Sequence, residues 1–220
     1  DNYNGTASFT YLVTDGELTS SSSTVTIVVN AVNDAPILSS IEDQSIDEDT
    51  GLSLALSADN ADGDVLTDSA NIDGSANISI LDNILTVTPD GNYNGSIAVD
   101  VSVSDGDYSD GGSFTLTVNP VNDAPVSESV SSQTDEDTSI TITLIASDID
   151  GDALTYLLDD ASLNGSVSIT DDAATFTPND NYNGTASFTY LVTDGELTSS
   201  SSTVTIVVNA VNDAPILSSI

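Results

Sequence analysis

Alternation of apolar and polar residues is the dominant pattern of the chain, and it predicts short β-strands. In one segment Ile97, Val99 and Val101 alternate with Ala98 and Asp100. A period of two residues turns one side of a strand toward a core and the other side toward solvent. We find no helical periodicity of useful length, so the pattern indicates an all-β protein.

Seven apolar runs follow one another between residues 37 and 125, and turn-forming residues separate them. Two-residue hairpin turns are expected at Asp82–Asn83 and, later in the chain, at Asp171–Asp172. Seven short strands with frequent turns are typical of a Greek-key β-sandwich. The predicted strands are a short one near residues 37–46, Leu52–Ala58, Val65–Asp68, Asn77–Leu81, Ile84–Thr88, Ser96–Val103 and Ser113–Val118.

The chain is internally repetitive. Residues 1–41 are identical to residues 180–220, and a diverged copy lies between them. The phrase Val-Asn-Asp-Ala-Pro recurs with its aspartates at Asp34, Asp123 and Asp213, which are 89 and 90 residues apart. Such a period predicts tandem domains, here seven-stranded sandwiches joined end to end. The predicted parts are the C-terminal part of a preceding repeat with its linker (1–36), two whole repeats (37–125 and 126–215) and the start of another (216–220).

Residues 1–30 match only the last two strands of a repeat. On their own they would expose Phe9, Tyr11 and Ile27, among other apolar residues. An uncovered sheet with open edges invites pairing with another chain. We therefore expect this hairpin to be frayed, or to borrow strands from another copy of the chain and so join copies into a fibre.

The chain carries 36 Asp and Glu residues and no Lys, Arg or His, so its formal net charge is −36. A folded body with this charge repels itself unless cations come from solution. Nucleic acid is not an expected partner, because phosphate contacts need Lys and Arg. No run of about 18 apolar residues occurs, so no membrane insertion is expected. Cysteine is absent, which excludes disulfides and thiolate metal sites.

Carboxylates gather in five short places within a full repeat, each at a predicted strand end or loop. Carboxylate and carbonyl oxygens, with Gly to permit tight turns, suit a hard cation that takes several oxygen ligands. Without thiolate or imidazole ligands, Ca²⁺ fits best, since Mg²⁺ resists losing its water. For the first full repeat these places are Asp47–Asp49, Asp59–Asp64, Pro89–Gly95, the turn at Asp105 and the linker at 121–125.

Several of these motifs resemble those of cadherin repeats. The segment ASDIDGDALTY (146–156) resembles the cadherin segment built around Asp-Ala-Asp, and VNDAP resembles the cadherin inter-domain linker. Glu48 and Glu136 stand where a cadherin repeat has the Glu of its first strand region, and residues 103–125 follow the cadherin order of motifs. The chain also resembles the cadherin-like, VNDAP-type tandem repeats of large bacterial surface adhesins. The resemblance implies a cadherin/Ig-like sandwich, an extracellular or cell-surface location and neighbouring repeats as partners.

The resemblance also implies a ligand set, in which several Ca²⁺ ions lie at each joint between repeats. The residues that it assigns to the joint at 119–125 are Glu48, Asp90, Asn92, Asn122, Asp123, Asp148, Asp150 and Asp194. Those that it assigns to the joint at 30–36 are Asn33, Asp34, Asn60, Asp62 and Asp105. Those that it assigns to the joint at 209–215 are Glu136, Asn212 and Asp213.

Each acidic motif also has a simpler interpretation. Asp148–Asp152 alone could be a plain acidic turn, whereas an EF-hand is disfavoured because its glycine is misplaced and no helices flank it. Solubility in a salty habitat competes with metal binding for any single aspartate, and Asp43, Asp68 and Asp110 are interpreted as surface charge. Asp59–Asp64 contains one more residue than Asp148–Asp152, so the number of ions per joint stays open.

The function that these observations favour is structural: an extracellular stalk, fibre or filament that Ca²⁺ makes rigid and that serves adhesion. A glycan- or protein-recognition module is the alternative, although Trp is absent and Tyr108 is the Tyr expected in a loop. An enzyme is disfavoured. Carboxylate pairs can hydrolyse glycosides, but the chain shows no pocket-forming insertion and has no Cys, His or Lys to act as nucleophile or base.

Overall fold

The computed structural model describes residues 2–215, and the regular elements in this part of the chain are β-strands. The all-β prediction is therefore confirmed. The chain divides into two compact units, residues 1–120 and 121–220. The predicted start of another repeat, at 216–220, lies outside the described residues. Within residues 2–215 we find no helix that is long and apolar enough to cross a membrane.

The first unit contains a four-stranded sheet, a three-stranded sheet and two separate strand pairs. Its strands are β1 Gly5–Tyr11, β2 Ser23–Val29, β3 Ile37–Leu38, β4 Gln44–Asp47, β5 Leu52–Ala55, β6 Ala58–Asp59, β7 Thr67–Asp73, β8 Ala76–Leu81, β9 Ile84–Pro89, β10 Gly95–Ser104 and β11 Ser109–Asn119. The sheet orders are β4-β11-β10-β7 and β5-β9-β8, and the pairs are β1-β2 and β3-β6. β4 runs parallel to β11, and the other pairings are antiparallel.

The second unit repeats this topology. Its strands are β12 Val126–Glu128, β13 Val130–Asp135, β14 Ile140–Thr143, β15 Ile145–Ser147, β16 Thr155–Ser162, β17 Gly165–Thr170, β18 Ala173–Pro178, β19 Gly184–Thr193 and β20 Ser202–Asn209. The sheet orders are β13-β20-β19-β16 and β14-β18-β17, and β12 pairs with β15. The parallel contact recurs between β13 and β20. Both repeats are therefore sandwiches of the kind that the strand pattern predicts.

Alternating side chains of the two sheets make the core of each repeat. In β10, Ile97 and Val99 are fully buried, and they share one apolar cluster with Leu85 and Val87 of the opposite sheet. The second repeat has an equivalent cluster that includes Phe188. Full burial of one such side chain stabilises the fold by about 1.5–3 kcal/mol. The period of two in the sequence thus determines which side chains fill the sandwich.

Two predicted strands are each divided in the structure. The run near residues 37–46 forms β3 and β4, and the run Leu52–Ala58 forms β5 and β6. β5 pairs with β9 but β6 pairs with β3, so the chain changes sheets between them. At this crossing the backbone N–H of Leu56 donates to the carbonyl of Asn83 at 2.8 Å, and the Leu56 side chain is buried. A single apolar run in the sequence therefore contributes β5 to one sheet and β6 to another.

The prediction of a strand over Val65–Asp68 is wrong in its bounds. The strand, β7, runs from Thr67 to Asp73, and Val65 lies before it with 88% of its surface exposed. Its sequence, TDSANID, contains few apolar residues. The partly buried Ala70 and Ile72 are those that pack on the core, so the apolar signal in the sequence is too sparse to mark the strand.

The hairpin turns are confirmed. Asp82 and Asn83 have φ angles of 50° and 61°, which match the two left-handed residues of a type I′ turn between β8 and β9. Asp171 has a φ of 54° at the turn between β17 and β18. Asn and Asp tolerate this conformation better than other side chains do, so the short turns follow from their residue types.

Two aspartates that were interpreted as surface charge have structural contacts instead. Asp43 Oδ1 accepts a hydrogen bond of 2.7 Å from the backbone N–H of Thr115, and Asp110 Oδ2 accepts one of 2.8 Å from the backbone N–H of Leu38. Each carboxylate thus satisfies a backbone donor at the margin of a sheet. Sequence spacing could not reveal this, because the paired residues are 72 positions apart.

The hairpin of β1 and β2 is well paired but poorly covered. Among the described residues, these two strands pair with each other alone. Phe9 is 54% exposed, whereas Phe188, at the identical position of the second repeat, is 2% exposed. In the second repeat the hairpin lies in a sheet of four strands, and Phe188 shares an apolar cluster with Ala174 and Phe176 of the opposite sheet. Strand exchange between chains remains a prediction.

This pair of identical positions yields a stability prediction. Replacing Phe188 by Ala removes a core side chain and should lower the free energy of unfolding of residues 121–220 by about 3–5 kcal/mol. Phe9→Ala is the matched control and should cost only about 0.5 kcal/mol, since its side chain is already exposed. Urea unfolding followed by circular dichroism measures both, with hydrogen exchange at Ile206 assigning the transition. Equal losses for the two variants would contradict the burial pattern.

Candidate metal centre

The acidic loop at residues 148–152 is shaped by one carboxylate oxygen. Asp148 Oδ1 accepts hydrogen bonds from the backbone N–H groups of Asp150, Gly151 and Asp152 at 3.0, 3.0 and 3.3 Å. Gly151 has a φ of +80°, a conformation that side chains disfavour. The second oxygen, Asp148 Oδ2, is buried and has no hydrogen-bond partner among residues 2–215. One carboxylate oxygen from each of Asp148, Asp150 and Asp152 lies within 4.8 Å of the other two.

The linker that precedes the second repeat is attached to this loop. The backbone N–H of Asp123 donates to Asp150 Oδ2 at 2.8 Å. The side-chain amide of Asn122 donates to Asp194 Oδ2 at 2.9 Å. Pro125, which ends the linker motif, is buried. We call Asn122, Asp123, Asp148, Asp150, Asp152 and Asp194 the N-terminal cluster of the second repeat.

The first repeat has the same arrangement. The backbone N–H of Asp34 donates to Asp62 Oδ2 at 2.7 Å, and the amide of Asn33 donates to Asp105 Oδ2 at 3.1 Å. The linker borders a cleft of about 240 Å³, whose lining is Asn2, Tyr3, Asn4, Asn30, Ala31, Val32, Asp34 and Asp62. The N-terminal cluster of the first repeat is Asn33, Asp34, Asn60, Asp62, Asp64 and Asp105.

Hydrogen bonding defines the correspondence between the two loops. Asn60 Oδ1 accepts hydrogen bonds from the backbone N–H groups of Asp62, Gly63 and Asp64, as Asp148 Oδ1 does in its own loop. Asn60 therefore corresponds to Asp148, and Gly63 has the same φ of +80° as Gly151. Asp59–Asp64 is one residue longer than Asp148–Asp152, but the additional residue, Asp59, lies outside the loop because it belongs to the preceding strand β6.

At the other end of each repeat lies a buried glutamate. Glu136 is 7% exposed; its carboxylate accepts hydrogen bonds from the backbone N–H of Val211 and from the amide of Asn183. Glu48 is 3% exposed, and its carboxylate accepts a hydrogen bond from the amide of Asn94 at 3.4 Å. A buried carboxylate is costly unless donors or cations compensate its charge. In this chain no side-chain cation exists to do so.

Other sequence-predicted ligands lie beside these glutamates or in a linker. The backbone N–H of Asn92 donates to the carboxylate of Asp49, the residue after Glu48, and the backbone carbonyl of Asp90 accepts from the backbone N–H of Tyr93 in the same turn. In the last linker the amide of Asn212 donates to the carbonyl of Asp213 at 3.2 Å. We call Glu48, Asp49, Asn92 and Asn94, and their counterparts Glu136, Asp137, Asn181 and Asn183, the C-terminal clusters.

The structure adds residues that the sequence-based set omits. Asp152 contributes the third acidic side chain of its loop, and its counterpart Asp64 is the second acidic side chain of the other loop, beside Asp62. Asn94 and Asn183 donate to the buried glutamates. The Asp-Gly-Asp motif that both loops contain was the sequence signal that could have identified these aspartates. The asparagines stood within NYNG motifs, where a turn was the simpler interpretation.

Hydrogen bonds keep the turn aspartates ionised. The pKa of Asp194 lies below its ordinary value, chiefly because the Asn122 amide donates to it and also because the backbone N–H groups of Leu197 and Glu196 do. The pKa of Asp105 is lowered mainly by the backbone N–H of Tyr108, and Asn33 adds less. Donors that favour the charged form of a carboxylate lower its pKa. Both side chains therefore stay anionic to a lower pH than an ordinary aspartate does.

The N-terminal cluster of the second repeat fits a hard divalent cation. Its donors are oxygens from carboxylates, amides and backbone, which are the ligands that Ca²⁺ prefers. The buried Asp148 Oδ2 is an acceptor that no donor among the described residues satisfies. Buried polar atoms are nearly always paired, so such an atom indicates a partner such as an ion or water. The residues present therefore suit Ca²⁺.

Comparison with known proteins agrees with this fold. The family described as "Bacterial Ig domain" matches at residues 33–119 and 122–207, once for each repeat. The ectodomain of human Desmocollin-1 has a similar structure, with a TM-score of 0.55, 16% identity and coverage of 88% of this chain and 44% of that one. The EC1-2 fragment of human Protocadherin-24 gives a TM-score of 0.54 at 17% identity, covering 81% of this chain and all of that one. These likenesses support an Ig/cadherin-like fold for the repeats.

One curated relative is similar in sequence. It is "Integrin beta-like protein A" of Dictyostelium discoideum, 29% identical over 256 residues. The match covers 91% of this chain but 13% of that protein, so the chain corresponds to a small part of its length. The structural similarity to the two cadherin ectodomains supports the sequence resemblance to cadherin repeats at the level of fold.

The contact of Asn122 with Asp194 gives a pH prediction. Asn122→Ala removes the largest cause of the lowered pKa, so the pKa of Asp194 should rise toward the ordinary aspartate value. Because the folded pKa lies below the unfolded one, the stability from this contact is present above the unfolded pKa. It is lost as pH falls through the folded pKa. Carboxyl ¹³C shifts, measured with chelator present, report both residues.

The matched control is Asn33→Ala, which should raise the pKa of Asp105 less, since backbone donation dominates there. A pKa of Asp194 that stays the same in Asn122→Ala would show that the amide contact does not set the charge of this carboxylate.

Proposed function

We propose that this chain, which belongs to the bacterial Ig domain family, forms part of an extracellular, adhesion-type repeat array whose joints Ca²⁺ stiffens. Its repeats follow one another directly, since the family matches end and resume at residues 119 and 122. Proteins of this fold class commonly serve adhesion. The name of the Dictyostelium relative, an integrin beta-like protein, agrees with such a role.

The observation that carries the calcium proposal is the unsatisfied Asp148 Oδ2 within a group of three carboxylates. Like charges at this spacing repel one another. The chain has no Lys, Arg or His to relieve it. A divalent cation from solution removes both problems together, since it neutralises the charge and occupies the free oxygen.

The ions would be held by residues from both kinds of cluster. We propose that the N-terminal cluster of one repeat and the C-terminal cluster of the preceding repeat contribute oxygens to the same ions. The linker asparagine and aspartate lie between these sets in the chain. The ligands of the joint at 119–125 would be Glu48, Asp90, Asn92, Asn122, Asp123, Asp148, Asp150, Asp152 and Asp194, and equivalent residues would serve the other joints.

Stiffening then follows from charge. Without a cation, the acidic ends of neighbouring repeats repel, and the linker is the place where the chain can bend. With Ca²⁺ bound, the carboxylates of both repeats are attracted to the same charge, which restricts bending. Extracellular calcium modules have dissociation constants of roughly 10⁻⁴–10⁻³ M, so millimolar calcium would keep them occupied. The buried Pro36 and Pro125 add local rigidity to the linkers by fixing φ.

Calcium removal provides the direct test of stiffening. Adding EDTA to the calcium-loaded chain should lower its melting temperature by several degrees and broaden its distribution of end-to-end distances. Calcium at 100 times its dissociation constant stabilises one site by about 2.7 kcal/mol, which is the basis for this shift. Calorimetry and small-angle X-ray scattering measure the two effects. Equimolar MgCl₂ and a matched rise in NaCl are the controls, and identical curves with and without EDTA would refute calcium stiffening.

A single substitution tests whether each joint acts separately. Asp123→Ala should raise the calcium concentration needed to restrict motion at the linker 121–125 while leaving the linker 31–36 unchanged. Spin labels on either side of each linker report this by electron paramagnetic resonance. Asp171→Ala, in the hairpin turn between β17 and β18, is the control for loss of one charge. If Asp123→Ala had no more effect than Asp171→Ala, the linker aspartate would not be a ligand.

A further inference from the structure

We propose that the first residue of the acidic loop, Asn60 in one repeat and Asp148 in the next, sets the affinity of that loop for a divalent cation. Successive joints of the array would then lose their ions at different calcium concentrations. This inference rests on the proposed function, because it assumes that the loops bind Ca²⁺. It concerns a difference between two repeats that otherwise have the same fold.

The two loops are equivalent in backbone structure. In each, one side-chain oxygen of the first residue accepts three backbone N–H groups. In each, the glycine at the fourth position has a φ of +80°. In each, the third residue accepts the backbone N–H of the linker aspartate, at 2.7 Å for Asp62 and 2.8 Å for Asp150. The loops therefore share these backbone contacts, while their first side chains differ.

The two loops differ in the second polar atom of the first side chain. Beyond the oxygen that accepts three hydrogen bonds, the first side chain has one more polar atom, which is buried and without a hydrogen-bond partner among residues 2–215. In Asp148 this atom is Oδ2, an anionic acceptor. In Asn60 it is Nδ2, a donor. An oxygen can ligate a cation, whereas an amide N–H₂ group presents positive partial charge toward it.

Rotating the Asn60 amide, so that its oxygen could ligate a cation, would be unfavourable. Turning the amide over would place its N–H₂ group against the three backbone N–H donors that its oxygen now satisfies. Three hydrogen bonds would be lost, and donors would face donors in their place. The amide orientation is thus set by the loop, and a cation bound there would face the donor. The loop at Asn60 offers the carboxylates of Asp62 and Asp64, while the loop at Asp148 offers three.

Exchanging the two side chains tests the assignment. Asp148→Asn and Asn60→Asp are studied in the full chain by ¹⁵N NMR during a CaCl₂ titration at constant ionic strength. The amides of Gly63 and Gly151 report the two loops separately, since each donates to the residue in question. Asp148→Asn should raise the calcium midpoint at Gly151 about tenfold, and Asn60→Asp should lower the midpoint at Gly63 by a similar factor, because ligand charge sets calcium affinity. Each change is compared with the wild type at the same loop, so all other ligands are constant.

Asp82→Asn and Asp171→Asn are the charge controls, placed at the equivalent hairpin turns of the two repeats. They should shift either midpoint less than twofold. The three backbone hydrogen bonds of the loop survive Asp148→Asn, as Asn60 demonstrates, and the NMR spectrum itself verifies folding. If calcium saturates both loops but neither exchange moves a midpoint beyond the controls, the inference is wrong and the proposed function stands. If the wild type shows no saturable change at either glycine, the proposed function fails and the inference fails with it.

Discussion

The structure depends on how negative charge is accommodated in a chain that has 36 Asp and Glu residues and no side-chain cation. Folding brings these groups closer together, and repulsion opposes it unless each carboxylate has a donor or counter-ion. The apolar alternation confines the charge to loops, strand ends and solvent-facing positions, while the interior of each sandwich is filled by Val, Leu, Ile and Phe. Core and charge are thereby separated, and the remaining problem is concentrated at the ends of each repeat.

Backbone N–H groups are the first solution. Asp15, Asp105 and Asp194 each use one oxygen to cap a tight turn, and Asp43 and Asp110 satisfy donors at sheet margins. Such contacts hold carboxylates in place without removing their charge. The carboxylates of the N-terminal clusters are therefore held in place while their negative charge is not neutralised. This is the basis of the calcium proposal. Fixed carboxylates lose little conformational entropy when an ion binds, which favours a rigid joint.

Much of the fold could be predicted because its signals are local. The alternation around Val99 defines a strand, and the Asp82–Asn83 turn follows from residues that tolerate positive φ. The division of the run Leu52–Ala58 could not be predicted, because it depends on Leu56 bonding to a turn far along the chain. Similarly, local motifs indicated the acidic loops as ligands, whereas the correspondence of Asn60 with Asp148 required the hydrogen bonds. The roles of Asp43 and Asp110 come from contacts with residues 72 positions away, which local motifs do not encode.

A calorimetric titration of the full chain with CaCl₂ in about 0.15 M NaCl, repeated with MgCl₂, tests the central claim most directly. Ordered oxygen clusters predict saturable binding of an integral number of ions, with dissociation constants of roughly 10⁻⁴–10⁻³ M and a clear preference for Ca²⁺ over Mg²⁺. A diffuse counter-ion atmosphere would instead give heats that never saturate, are equal for the two metals and vanish as NaCl is raised. That second result would contradict the claim that specific divalent ions balance the charge of this protein.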